Sequence, residues 1–262
     1  MVMEAVALNH KVFGEGKPLV IVHGLFGSLD NWQTHAKTLS EYFQVILVDA
    51  RNHGHSPHSE SHNYDLMADD LNLLLAHLNL QKAYFIGHSM GGKAVIRFAQ
   101  LHPEKVDKLI VADMGVKAYL PHHELILKGL NSIDFNTTTS RSEAEKSMSE
   151  FIQDNSVRQF LLKNLYWIEP GKRMAWRMNV AVLEREMPQI LKELPQEMCL
   201  MPTLFLRGAL SNYVLDEDLE EIEAQFPNFT LETIDGAGHW VHAEKPKEFL
   251  DEVLRFLIFD FL

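Results

Sequence analysis

The sequence predicts an α/β protein: a mostly parallel central sheet flanked by helices, with a helical cap inserted between the later strands. Short apolar runs rich in Val, Ile and Leu alternate with amphipathic segments, which is the pattern of a parallel sheet covered on both faces. That alternation stops after Gly115 and resumes near residue 195. Glycine-flanked polar motifs stand where several of the apolar runs end.

Taken in order, "PLVIVHG" (Pro18 to Gly24), "FQVILVDA" (Phe43 to Ala50), "KAYFIGHS" (Lys82 to Ser89) and "DKLIVADMG" (Asp107 to Gly115) are predicted strands. "PTLFLRG" (Pro202 to Gly208) and "TLETIDGAGH" (Thr230 to His239) follow after the interruption. Each is apolar on successive residues, as strands buried on both faces are. Between them, "LMADDLNLLLAHLNL" (Leu66 to Leu80) and "GKAVIRFAQLHP" (Gly92 to Pro103) repeat apolar residues at helical spacing. From about Ala118 to Leu194 only helices are expected. Ser140 followed by Glu143 is a capping box, and "SVRQFLLKNLYW" and "VAVLEREMPQILKEL" continue the helical pattern. Residues 1–117 and 195–262 are therefore read as the core and 118–194 as a cap over the strand ends, where open α/β sheets bind ligands. The closing "VLRFLIFDFL" is read as a last helix packed on the core.

Composition narrows the function. A chain of 262 residues, 46% hydrophobic and 23% charged, has the material for a sizeable core. A net charge of -12 argues against nucleic-acid or anionic-membrane surfaces, which call for clustered Lys and Arg. No stretch reaches the roughly 20 apolar residues of a membrane span. The opening residues lack a signal-peptide pattern, and one cysteine, Cys199, allows no intrachain disulfide; a cytoplasmic protein is expected.

"GHSMG" (Gly87 to Gly91) sets a serine between two glycines at a strand-to-helix junction, the arrangement of a nucleophile elbow. Ser89 is the candidate nucleophile. "HGLFG" (His23 to Gly27) follows the first strong strand and suits an oxyanion hole built from the backbone N–H groups of Leu25 and Met90. Such donors are worth about 3 kcal/mol each in acyl transfer. His239, on a glycine-flanked loop after the last strand, is the candidate general base. His23 is read as a brace for its loop, and Asp49 and Arg51 as an ion pair bracing theirs. His53, His55, His58 and His62 complete no familiar ligand spacing, so neither a metal nor any other cofactor is expected.

"HGLFGSLDNW", "DARNHGHS", "GHSMGGKA", "LIVADMG" and "GAGHWVHAEKP" together resemble the α/β-hydrolase family, and most closely the small bacterial esterases of the YbfF type, whose relatives include acyl thioester hydrolases. The resemblance spans nearly the whole chain and implies a serine esterase acting on a small-molecule acyl ester or thioester without a cofactor. In most members the triad acid follows the strand matched by "PTLFLRG", but Ser211 occupies that place here. Asp216, Glu217 and Asp218 lie further on, in an acidic first turn that suits a helix dipole. The other acid position of the fold is the end of the preceding strand, which holds Asp113. A carboxylate ending an apolar strand needs a partner. The expected triad is Ser89, Asp113 and His239.

Trp240, Trp176 and Tyr213 are the candidate substrate-contacting residues, with Trp32 and Tyr119 as further aromatics for an acyl pocket. Lys93 begins a helix and is left without a role. Lys163, Lys172, Arg173 and Arg177 form a basic patch that suits a coenzyme A phosphate or a solvated helix face. The same triad supports C–C bond hydrolysis or perhydrolysis, and a hydrolase-derived binding module is the alternative outside catalysis. Oligomeric state is left open.

Overall fold

Seven strands form the central sheet of the computed structural model, which describes residues 4–169, 171 and 173–259. They are β1 (His10–Phe13), β2 (Lys17–Val22), β3 (Phe43–Val48), β4 (Ala83–His88), β5 (Val106–Ala112), β8 (Thr203–Gly208) and β9 (Phe229–Ile234). Their order across the sheet is β1-β3-β2-β4-β5-β8-β9. All neighbours run parallel except β1, which pairs antiparallel with β3 at the edge.

The unbroken apolar runs are explained by the two faces. Val20, Ile46, Phe85, Val111 and Phe205 point into one hydrophobic cluster with residues of α2 (Tyr64–His77) and α3 (Met90–Leu101). Their neighbours Leu19, Val45, Tyr84, Ile110 and Leu204 point into the opposite cluster with α1 (Gln33–Leu39) and α11 (Pro246–Ile258). Successive strand residues face opposite ways, so a doubly covered strand must be apolar throughout. In α11, Phe249, Val253, Phe256 and Leu257 are buried; the last residues of the expected terminal helix, 260–262, lie outside the described residues, as do residues 1–3. Among the described residues, no helix is long and apolar enough to cross a membrane.

Between β5 and β8 the chain runs through α4 (Glu124–Asn131), α5 (Arg141–Ser149), α6 (Asn155–Leu162), a hairpin of β6 (Leu165–Glu169) and β7 (Arg173–Trp176), α7 (Val180–Arg185) and α8 (Met187–Leu191). The hairpin corrects the expectation of helices alone. α6 stops at Lys163, and Asn164 turns inward, its Nδ2 donating to the carbonyl of Phe26 at 2.8 Å. The four- and five-residue strands that follow are too short to show a period of two. Two connections fasten the segment's ends together: Leu194 N–H donates to Val116 O at 2.9 Å, and Tyr119 N–H to Leu191 O at 2.8 Å. After β8, α9 (Leu219–Gln225) precedes β9, and α10 (Val241–Glu244) leads into α11.

Candidate active site

β4 ends in a turn that only its glycines permit. Ser89 adopts φ 53° and ψ -122°, in the left-handed half of the map where non-glycine residues are strained. A Cβ on Gly87 would stand 2.2 Å from the carbonyl oxygen of Gly91, and one on Gly91 2.3 Å from that of Val22. Neither backbone oxygen can move without breaking the sheet or α3. The turn aims the Ser89 side chain into a cavity, and Met90, as the first residue of α3, has an N–H with no intrahelical partner.

Three elements converge on the serine. His239 Nε2 lies 2.9 Å from Ser89 Oγ, and His239 Nδ1 lies 2.7 Å from Asp113 Oδ2. Asp113 is fully buried beyond the end of β5, at φ 48°, held by donation from its own N–H to Leu206 O at 2.7 Å. Its carboxylate has two further donors. Gly208 N–H donates to Oδ1 at 3.0 Å, and the Ser211 hydroxyl donates to Oδ2. Ser211 Oγ in turn accepts from Tyr213 N–H at 3.2 Å. Ser211 therefore solvates the acid from the position where most of the family would carry it. Of the later carboxylates, Asp218 accepts from Lys117 Nζ and from Leu215 N–H, and Asp216 pairs with Arg207.

The loop after β2 is braced by two histidines. His23 Nε2 accepts from Ala50 N–H at 3.0 Å, so its Nδ1–H donates to Gly24 O at 2.7 Å. His53 Nε2 accepts from Phe26 N–H at 3.1 Å, and its Nδ1–H donates to Arg51 O at 2.9 Å. Burial, as the largest cause, lowers the pKa of both, which keeps them in the neutral form that this bonding needs. His62 is also buried and is pushed down to about 3. Among the described residues no group of histidines and carboxylates could hold a metal ion.

The Asp49–Arg51 pair expected from the sequence does not form. Arg51 is buried against Asp70 of α2, with Nε and Nη2 each 2.6 Å from a carboxylate oxygen. Asp49 instead accepts from Asn9 Nδ2 and from the N–H groups of Leu29 and His55. The start of α2 also meets the Arg51 side chain, whose Nη2 donates to Leu66 O at 3.3 Å.

A cavity of about 220 Å³ opens above Ser89. Its floor includes Gly24, Leu25, His88, Ser89 and His239; Ile126, Val157, Phe160 and Leu161 come from α4 and α6. Leu25, Ser89 and Met90 also line a smaller hollow beside it. Two of the expected substrate-contacting aromatics lie on the main wall. Trp240 packs near Phe160 with ring centroids 6.0 Å apart, and Tyr213 stacks on the His239 imidazole at 3.7 Å. The third, Trp176, is not among the residues lining the cavity. It ends β7, where its Nε1–H donates to Leu130 O at 3.2 Å and its ring meets Phe135. Trp32 lies on the wall, stacked on His242 at 4.2 Å, and Tyr119 lines the smaller hollow.

Several contacts have no counterpart in the sequence pattern. His122 Nδ1–H donates to Leu120 O at 2.8 Å, so its Nε2 accepts from the Tyr213 O–H at 2.6 Å, and burial pushes that phenol up to about 12. This links the residue stacked on His239 to the segment above the cavity. Lys93, read from the sequence only as lying near a helix start, is buried; its Nζ donates to Lys117 O at 2.7 Å and Lys192 O at 2.5 Å. Burial pushes it down to about 7. Of the basic patch, Arg177 lies 4.4 Å over the Tyr166 ring and 3.3 Å from His55 Nδ1, and Lys172 lies outside the described residues.

The fold is shared with known proteins. The profile of the alpha/beta hydrolase fold family matches residues 17–246. The chain is 40% identical to esterase YbfF of Escherichia coli over 241 residues, covering 92% of each. It is 38% identical over 249 residues to the mouse sn-1-specific diacylglycerol lipase ABHD11, covering 91% of this chain and 80% of that one. A solved structure described as a marine microorganism esterase superimposes with a TM-score of 0.94 at 42% identity, covering 97% of this chain and all of the other.

Proposed function

Because this chain belongs to the α/β-hydrolase family, we propose that it hydrolyses carboxylic esters through an acyl-enzyme formed on Ser89. The observation that carries the reading is the continuous contact from Ser89 Oγ to His239 to the buried Asp113, built on a strained elbow. Esterase and lipase relatives support the same class of chemistry.

The steps follow from the contacts. Ser89 Oγ attacks the acyl carbonyl carbon while His239 Nε2 takes its proton. The carbonyl oxygen becomes an oxyanion held by the N–H groups of Leu25 and Met90. Asp113 fixes the tautomer of His239 and stabilises the imidazolium. As the tetrahedral intermediate collapses, the bond to the leaving oxygen breaks and His239 gives that oxygen its proton. Water then enters, loses a proton to His239 and attacks the ester of Ser89. Collapse releases the carboxylic acid and restores the serine hydroxyl. The cap, residues 118–194, covers the reacting groups and supplies the apolar wall for the acyl chain.

A thioester would follow the same steps, with a thiolate leaving. Arg177 is engaged with Tyr166 and His55, and the relatives named esterase and diacylglycerol lipase act on oxygen esters, so oxygen esters are the favoured substrates. Hydrolysis of p-nitrophenyl butyrate by wild type and by Ser89→Ala, prepared side by side, tests the reading. Turnover by the wild type that is lost in the variant is expected. A folded wild type that releases no nitrophenol contradicts it and favours a binding module.

A further inference from the structure

Lys93 is fully buried, and the chemistry proposed above gives it no part. It is the fourth residue of α3, and its N–H donates to Ser89 O at 3.2 Å, so a single helical turn ties it to the nucleophile. Its Nζ reaches two backbone carbonyls at once, Lys117 O at 2.7 Å and Lys192 O at 2.5 Å. These belong to the two connections between core and cap: Lys117 lies just before the cap, and Lys192 comes directly after α8, near its end. Both carbonyls stand outside any helix or strand, and the lysine takes them up. Nζ has at least two hydrogens in either protonation state, one for each carbonyl, and the Tyr119 ring lies 4.9 Å from it.

The segments fastened in this way enclose the reacting groups. Tyr119, His122 and His123 follow Lys117, Ile190 and Leu191 precede Lys192, and all five line the small hollow that Leu25, Ser89 and Met90 share. Lys93 itself lines neither that hollow nor the main cavity. The two connections are bonded to each other through Val116 and Leu194 and through Tyr119 and Leu191, so displacing one displaces the other. Tyr64 of α2 adds a third fastening, its hydroxyl donating to Ile190 O at 2.6 Å. The lysine thus fixes the distance between the helix that follows Ser89 and the apolar side chains facing it. An acyl chain gains from those side chains in proportion to the apolar surface it withdraws from water, and a displaced wall withdraws less.

We propose that Lys93 is a positioning residue: by pinning both connections to the nucleophile's helix it holds the wall against which the acyl chain packs, and so sets the preference for longer over shorter acyl groups. This rests on the esterase reading above. The test compares kcat/KM for p-nitrophenyl butyrate and p-nitrophenyl acetate, which share a leaving group and differ by two methylenes. Burial of those two methylenes corresponds to about a tenfold preference for the butyrate in wild type. Lys93→Met, which keeps the length of the side chain and removes its donors, should bring the ratio close to one while kcat for the acetate stays within about threefold of wild type. Lys93→Gln, whose NH2 stands one bond short of the carbonyls, should fall between. Hydrogen exchange read by mass spectrometry should show residues 117–123 and 190–194 exchanging faster in both variants, with β4 and α2 still protected. A merely structural lysine would lower both rates together through the folded fraction and leave the ratio at its wild-type value, which overturns the proposal. A wild type indifferent to acyl length overturns it too, as does a chain that folds with neither substitution. A folded wild type that hydrolyses neither ester overturns the esterase reading and this proposal with it.

Discussion

Replacing Asp113 by Asn keeps the size of the side chain and removes its charge, which makes it the sharpest probe of the acid. The carboxylate is fully buried, and each of its contacts is a donor: His239 Nδ1 at 2.7 Å, Gly208 N–H at 3.0 Å and the Ser211 hydroxyl. An amide has only one oxygen for these donors, and its NH2 would face an N–H or an O–H. His239 would then adopt the tautomer whose Nε2 carries the proton, which cannot accept one from Ser89. In the transition state, two unit charges about 4 Å apart attract by about 4 kcal/mol at an effective dielectric of about 20. Loss of a charge-assisted hydrogen bond adds about 1.5–3 kcal/mol. Together these correspond to a fall in kcat of about 10⁴ to 10⁵. Steady-state hydrolysis of p-nitrophenyl butyrate by Asp113→Asn measures it, with thermal unfolding to confirm the fold. A variant that is folded and within tenfold of wild type would refute the assignment of Asp113.

Other perturbations follow from the same contacts. Ser211→Ala removes one donor from the Asp113 carboxylate and should lower kcat by about tenfold, the worth of one hydrogen bond, whereas Ser211→Thr should retain most activity in the same assay. Asp70→Asn leaves the buried Arg51 guanidinium without its counter-charge; urea unfolding should report a loss of about 3–5 kcal/mol. Lys93 has its folded pKa pushed down to about 7, below the usual lysine value, so unfolding takes up a proton between about pH 7 and pH 10. In that window the unfolded state binds more protons, and stability contributed by this group rises with pH. Unfolding free energies of wild type minus Lys93→Met should therefore increase by about 3 kcal/mol from pH 7 to pH 10; a constant difference would contradict the buried, titrating lysine.

Much of the core was legible because its physics is local. A strand covered on both faces must be apolar on successive residues, and "LVIV" (Leu19 to Val22), "VILV" (Val45 to Val48) and "LIVA" (Leu109 to Ala112) are. The elbow was legible because Gly87 and Gly91 leave no room for a Cβ. Asp113 stood out as a carboxylate closing an apolar run. Contacts made across long stretches of chain left no such trace. Arg51 finds Asp70 rather than its near neighbour Asp49, and Trp176 turns toward Leu130 rather than toward the cavity. The β6–β7 hairpin is too short to show alternation, and the edge strand β1 mixes polar and apolar residues. Ser211 stands in the sequence where an acid is expected, and only the fold brings its hydroxyl onto Asp113. Lys93 has no role legible in the sequence because no pattern reveals that two backbone carbonyls, of Lys117 and Lys192, wait at its tip.

Acyl transfer to Ser89 is the step on which the proposed chemistry depends. Incubation with a fluorophosphonate, followed by mass spectrometry of the digested protein, tests it directly, because the reagent bonds only to a serine activated by its base. One adduct is expected, on the peptide containing Ser89, that is absent in Ser89→Ala and forms far more slowly in Asp113→Asn. An adduct elsewhere, or an unmodified Ser89 in protein that hydrolyses esters, would contradict it.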